Sequence, residues 1–473
     1  MSQLILYVAL HVLGVVVCMA IGPWQRISLC SALGFAIGLA SMVVVSLATL
    51  ILGVFHIGVV ATLYAALLGV CIAGAVKRKR WSLRTVRAAG VGTLGFAILC
   101  FPFCYFNFSA LSYDSHSFVM YGRIIGADGG LTVDMLERLT SWGVFQVVAH
   151  AMTSFVKQDY LYGLAPVFAV SMLATFAVVL TEALDHLRVA RLHRVIWTCL
   201  VIAVLLAIPL FRFHTIYIHA NMASAGYLSF FVMLFWLAEV EQDDTLVPVA
   251  FLSLLAFTLL RVEAVPYAIA FLVVTVMKTQ LSRRALLPWY LLYTTVLVIW
   301  FSLLALSVPS DSIFLTPTKC LLFGAALSLL FLYWLVKDRG LFRHLTPYLS
   351  YLAVVACCLG IGFAYVTHGD TMRESASIWL DDLWTSPWWA SIWKCAAVLA
   401  LVGVFLPSPP LHMPLVLGMA LFFGLTLIVS STSTAFGPDI DGGLIRITIH
   451  IVPVVLFYGA LKFAPLLTTA RER

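Results

Sequence analysis

Apolar runs of roughly twenty residues recur from the N-terminus almost to the C-terminus of this chain, and that recurrence decides most of what it can become. A helix of about twenty residues crosses the roughly 30 Å hydrocarbon layer of a bilayer. Within it every backbone N–H and C=O finds a partner without water. With 63% hydrophobic residues, 10% charged residues and a mean hydropathy of +1.05 over 473 residues, no water-soluble core accounts for the sequence. The expected fold is all-α, a polytopic transmembrane helical bundle of about fifteen spans beginning near residues 3, 27, 54, 89, 161, 195, 222, 246, 264, 287, 317, 346, 390, 412 and 447. One long apolar run is interrupted at Arg261-Val262-Glu263-Ala264-Val265-Pro266, where proline favours a turn or a broken helix.

Basic residues orient such a bundle, because Lys and Arg are retained on the cytoplasmic side. Most of the 28 fall on one face: Arg26, the cluster from Lys77 to Arg87, Arg188, Arg191, Arg194, Lys278, Arg283, Arg284, Lys337, Arg339, Arg343, Lys462, Arg471 and Arg473. The expected orientation is an outer N-terminus and a cytoplasmic C-terminus, in an integral membrane protein of a bacterial inner membrane. Net charge of +7 is then an orientation signal, and no nucleic-acid partner is expected. The segment Leu4–Ile21 lacks a basic n-region and a small-residue cleavage site, so it reads as a retained helix. Ten cysteines scattered through apolar runs give neither zinc spacing nor a disulfide framework.

Three segments are expected: 1–88, three N-terminal helices peripheral to the rest; 89–285, a catalytic module; and 286–473, the C-terminal helices. Polar intervals at 109–160, 212–221, 368–389 and 431–446 lie on the outer face. In the first, Met135, Leu139, Trp142, Phe145, Val148, Met152 and Phe155 recur every three or four residues. Thr132 to Lys157 therefore reads as an interfacial amphipathic helix capped by Thr132, with Asp134, Glu137, Gln146 and His150 on its polar side. A second short helix is expected over Asp114–Ile125, ended by the glycines of Gly126-Ala127-Asp128-Gly129-Gly130. Ionisable residues at a membrane edge, such as Asp114 and His116, mark a candidate site.

Four places resemble the GT-C superfamily of polytopic glycosyltransferases. Tyr113-Asp114-Ser115-His116, with Tyr121-Gly122-Arg123 and Gly129-Gly130-Leu131, is similar to that superfamily's first outer loop. Tyr217-Ile218-His219-Ala220-Asn221 resembles its second, Arg261-Val262-Glu263 its basic-acidic pair at an outer helix end, and Arg446-Ile447-Thr448-Ile449-His450-Ile451-Val452-Pro453 the start of its last outer helix. All four fall on the face that the basic residues make external. Two departures stand out: His214, His219 and Asn221 occupy a loop where many relatives carry an acid, and three extra helices precede the acidic loop.

The resemblance implies transfer of a sugar from a polyprenyl-phosphate donor to an acceptor hydroxyl at the outer face. Asp114 would take the hydroxyl proton, with His116 beside it, in a single displacement that inverts the anomeric centre. Arg446, Arg261 and His450 would hold the departing phosphate, since the guanidinium fork matches phosphate oxygens. Tyr113, His214, His219, Asn221 and Glu263 are candidate acceptor or metal contacts; no particular cofactor is indicated, and a divalent cation stays open. The expected partners are the lipid-linked sugar, an acceptor glycan, lipid or protein, and membrane lipids. Bland roles compete: Asp114 as a helix cap, Arg446 as a snorkelling side chain, Arg261 and Glu263 as separate structural pairs, since residues two apart on a helix do not face each other. Alternative functions are an outer-face glycan ligase or polymerase using a lipid-diphosphate oligosaccharide, and a lipid or sugar transporter.

Overall fold

A computed structural model describes residues 2–106, 109–110, 113–156, 160–276, 279–307, 315–431 and 443–467, without the side chains of Tyr113, Asp114, Ser141, Phe155, Val276, Leu341, Pro347 and Ser350. Its first four helices are α1 (Ser2–Ile21), α2 (Ile27–Ile51), α3 (Ile57–Lys77) and α4 (Leu83–Tyr105). The long first interval holds α5 (Tyr113–Asp128), α6 (Val133–Trp142), α7 (Phe145–Ala151) and α8 (Thr153–Val156). Then come α9 (Leu164–His186), α10 (Arg191–Ala207), α11 (Pro209–Ile216), α12 (Ala220–Glu241), α13 (Val247–Leu260), α14 (Ala264–Val276), α15 (Arg283–Ser307) and α16 (Pro317–Val336). The chain closes with α17 (Gly340–Thr385), α18 (Ile392–Gly403), α19 (His412–Ser430), α20 (Gly443–Thr448) and α21 (Val452–Phe463).

Ten of these helices are long and apolar enough to cross a bilayer, or eleven if α10 and α11, bent 80° apart, form one interrupted span. The expectation of fifteen spans is corrected. The runs starting near 246, 264, 390 and 447 fold as α13, α14, α18 and α21, whose apolar stretches are 10–17 residues long. At about 1.5 Å per residue such a helix falls short of the roughly 30 Å layer. α13 stops at Arg261, which is extended, and the other three end within apolar sequence or at its edge. The 80° bend sits at Pro209, whose ring disfavours helical geometry at Ile208 (φ −72°, ψ 112°).

At the centre stands α12, with 94% of its apolar window buried, against 17% for α3 and for α4. Lipid-facing helices can leave apolar side chains exposed, which is what α3, α4 and α16 do. Of the three N-terminal helices expected at the periphery, α1 and α2 pack into the core and α3 lies at the rim. Their intimacy comes from glycine: a Cβ on Gly14 would strike the carbonyl of Gly34, and one on Gly38 the carbonyl of Leu10. Tyr227 of α12 and Ser171 of α9 donate to the Ala36 and Ala32 carbonyls of α2, each at 2.6 Å.

In the first long interval Thr132 caps α6 by accepting from the Met135 N–H at 3.3 Å, as its sequence predicts. The single amphipathic helix expected to Lys157 is broken at Gly143, whose φ of +77° lies in the left-handed region and whose missing Cβ lets it lie against Leu260. That break turns the chain inward. Gln146 and His150, expected on the polar side, are buried with the rest of α7. The interval 368–389, expected as a loop, continues α17 to Thr385 past a kink at His368 (φ −138°, ψ 38°). Its Met372, Ser375, Trp379 and Leu383 form a buried helical stripe.

One end of the bundle gathers the basic groups assigned to a common face. Arg26 pairs with Glu182, Glu241 and Asp243, Arg194 with Asp185, and Arg283 with Asp338. Arg78 and Arg80 donate to the Ala20 carbonyl at 3.0 and 2.7 Å. Removing Arg26 would leave three carboxylates in partly buried surroundings with no charge opposing them. Arg26→Met is expected to cost on the order of 2 kcal/mol, between an exposed and a buried pair. Thermal unfolding in detergent measures it; an unchanged midpoint would mean that the pairs contribute nothing.

Candidate functional site

At the opposite end, helix breaks bring remote polar residues together. The chain leaves α11 at Tyr217, passes extended through His219 (φ −153°, ψ 162°), and starts α12 at Ala220. It leaves α13 at Arg261 in extended geometry (φ −148°, ψ 147°) and re-enters a helix at Ala264. It leaves α20 at Thr448 and resumes at Val452, carrying Arg446 on α20 and His450 in the turn. Three helix breaks therefore meet at one place, at the junction of α13 and α14, whose apolar stretches are 10–17 residues long.

Asn221 is the hub. Its Oδ1 accepts from Arg261 Nη1 at 3.0 Å and faces His450 Nε2 at 3.4 Å. Arg261 also donates Nε to Glu263 Oε1 at 2.8 Å, with Nη2 at 2.7 Å from the same oxygen. The expectation that these two residues do not face each other is corrected. It assumed a helix through 261–263, and the extended conformation of Arg261 folds its side chain back over Glu263. Arg446 Nη1 lies 3.4 Å from His219 Nε2. His219 stacks on Tyr217 with ring centroids 5.4 Å apart, and Tyr217 also meets His214 at 5.4 Å.

Donor and acceptor roles fix the tautomers. A guanidinium only donates, so the His219 Nε2 facing Arg446 is a lone pair. An amide oxygen only accepts, so the His450 Nε2 facing Asn221 carries the hydrogen, and a neutral His450 keeps its lone pair on Nδ1. Burial pushes the His450 pKa well below the usual histidine value, and the positive charges of Arg261 and Arg446 push the same way. The ring is neutral.

The first long interval closes over this cluster. Ala110 donates to the Ile216 carbonyl at 2.9 Å and accepts from Ile218 at 3.1 Å, and Ser115 donates to the Ile218 carbonyl at 2.6 Å. Phe118 meets the His219 ring at 5.7 Å, and Gln146 Nε2 donates to the His219 carbonyl at 3.1 Å. The first turn of α5, which carries Asp114, thus lies against Ile218 and His219, while the side chains of Tyr113 and Asp114 lie outside the described residues. His116 stands apart, exposed on α5 and lining a cavity of about 590 Å³ with Ser117, Val119, Met120 and Arg123. Asp439 and Asp441 fall outside the described residues.

Seven of the ten candidate residues therefore converge: His214, His219, Asn221, Arg261, Glu263, Arg446 and His450. Two contributors had no marked signal in the sequence. Gln146 looked like one more polar residue on an amphipathic stripe. Trp379, whose indole donates to Thr448 Oγ1 at 2.8 Å, steadies α20 from a segment read as loop. Among the described residues no group of three or more His, Cys, Asp or Glu is arranged to hold a metal ion.

Fold and site together define an all-helical polytopic membrane protein with a largely buried, arginine-bearing polar cluster at one end. No protein-family model, curated protein or solved structure matches the chain.

The sign of the pH dependence follows from His450. Its folded pKa lies below the unfolded value of about 6.5, so the stability of the neutral ring is present above that pH and is lost as pH falls below it. Thermal midpoints measured across that range should fall toward acid, and less steeply in His450→Gln. Equal slopes in the two proteins would contradict a buried neutral ring.

Proposed function

We propose that this protein is a membrane glycosyltransferase that moves a sugar from a polyprenyl-phosphate donor to an acceptor hydroxyl at the membrane face bearing the cluster, taken as the outer face. The observation that carries the reading is the convergence of Arg261 and Arg446 on one buried polar cluster from far apart in sequence. Two fixed guanidiniums in a largely buried site of low dielectric suit a phosphate on which charge grows as the glycosidic bond breaks. The lipid tail would lie along the apolar surface of the surrounding helices.

Among the described side chains of the cluster, Glu263 pairs with Arg261 and Arg446 lies beside the His219 ring. Asp114, in the first turn of α5 beside His219, is the proposed base. It would take the acceptor hydroxyl proton as oxygen bonds to the anomeric carbon and the C–O bond to phosphate breaks with its electrons leaving on the phosphate.

Purified protein offered labelled polyprenyl-phosphate sugars tests the reading. Asp114→Asn should lower turnover about 10²- to 10⁴-fold with donor binding kept, and Arg446→Ala should weaken donor binding about tenfold or more. Full turnover in Asp114→Asn would remove it as the base.

A second reading, a carrier for lipid-linked sugars, draws on one observation: the cluster sits at broken and bent helices, as binding sites of transporters do. Sealed vesicles separate the two, since a carrier moves the lipid without breaking the glycosidic bond.

A further inference from the structure

The cluster has a second half that the phosphate does not use. His214, Asn221 and His450 are 1%, 0% and 1% exposed, and each keeps a polar atom with no hydrogen-bond partner among the described residues: both ring nitrogens of His214, Asn221 Nδ2 and His450 Nδ1. Buried polar atoms are ordinarily paired, and leaving several unpaired in one place weakens the fold. They belong to one cluster: Asn221 bridges Arg261 to His450, and the Tyr217 ring lies 5.4 Å from the His214 ring and 5.4 Å from that of His219.

What these atoms offer is mixed. Asn221 Nδ2 is a donor, His450 Nδ1 on its neutral ring is a lone pair, and a neutral His214 presents one of each. Phosphate oxygens of a diester only accept, so they cannot satisfy a lone pair. A hydroxyl both donates and accepts, and a ring bearing several of them matches the set.

We propose that His214, Asn221 and His450 form a hydroxyl-reading subsite for the sugar, set beside the arginines that take the phosphate. The inference rests on the glycosyltransferase reading and deepens it. It divides the cluster by charge: Arg261 and Arg446 meet the anion, and the neutral group meets neighbouring sugar hydroxyls. Specificity for one sugar would then reside in the neutral group, because a site built to pair a hydroxyl strongly rejects a sugar that lacks it or orients it differently.

The test uses His214, whose ring makes no hydrogen bond among the described residues. In the absence of ligand, His214→Leu should raise the thermal midpoint by about 2 °C or more, since it removes two unpaired buried nitrogens and keeps the volume filled. Its affinity for geranyl phosphate, a probe with the phosphate and no sugar, should stay within about twofold of the wild type, while Arg446→Ala weakens it about tenfold. His214→Phe, which keeps a planar ring, serves if the leucine variant does not fold. A lowered midpoint in both variants would overturn the proposal, because the ring nitrogens would then hold the fold together. Loss of geranyl phosphate binding as large as that of Arg446→Ala would also overturn it, by making His214 a phosphate ligand. Failure of the wild type to bind geranyl phosphate would instead defeat the glycosyltransferase reading, and the ligand-free midpoint would still report on whether the neutral group serves the fold.

Discussion

A guanidinium inside an apolar bundle must be paired, and the contact of Arg261 with Glu263 and Asn221 is the arrangement from which the rest of this end follows. For Arg261 to reach both, α13 has to stop and the chain has to run extended for one residue. Asn221 can receive it only if α12 begins where it does. His450 then meets the same amide oxygen only if α20 and α21 break at Thr448 to Val452. Short helices, which look wasteful in a membrane protein, are the geometric consequence of placing side chains from three breaks around one amide.

A single helix joins this polar end to the other. At its start α12 carries Asn221, and at its far end Glu239 accepts from Thr279 and Gln280 while Glu241 pairs with Arg26. Between them it is buried on every side, held to α2 through Tyr227 and to the 410 region through the Trp236 indole, which donates to the Pro410 carbonyl at 2.9 Å. The two ends differ in kind. Around Arg26 the carboxylates outnumber the cation, and every named charge is used in a pair. Around Asn221, several buried polar atoms have no hydrogen-bond partner among the described residues.

Much of this was readable in the sequence because the bilayer imposes it. Apolar runs located the helices, and Lys and Arg positions sorted their ends into two groups that the fold keeps apart. Run length misled where a helix ends before its apolar run is long enough to cross, so α13, α14, α18 and α21 were counted as spans. The pairing of Arg261 with Glu263 was hidden because spacing arguments presuppose a helix, and the residue is extended. Gln146 and His150 were placed outward because the stripe was continued through Gly143, where the backbone turns. The convergence of His219, Asn221, Arg261, Arg446 and His450 could be approached only through sidedness and the borrowed pattern of the resemblance; no spacing along the chain brings residues 219 and 446 together. Trp379 gave no sign at all, since its partner Thr448 is remote.

Head-group charge is the point on which the functional account turns. Thermal midpoints of the purified protein with a prenyl phosphate and with the uncharged prenyl alcohol of equal chain length isolate it. The account predicts a rise with the phosphate that shrinks in high salt and little or no rise with the alcohol. Equal stabilisation by both would contradict it, since the binding would then belong to the hydrocarbon tail and not to Arg261 and Arg446.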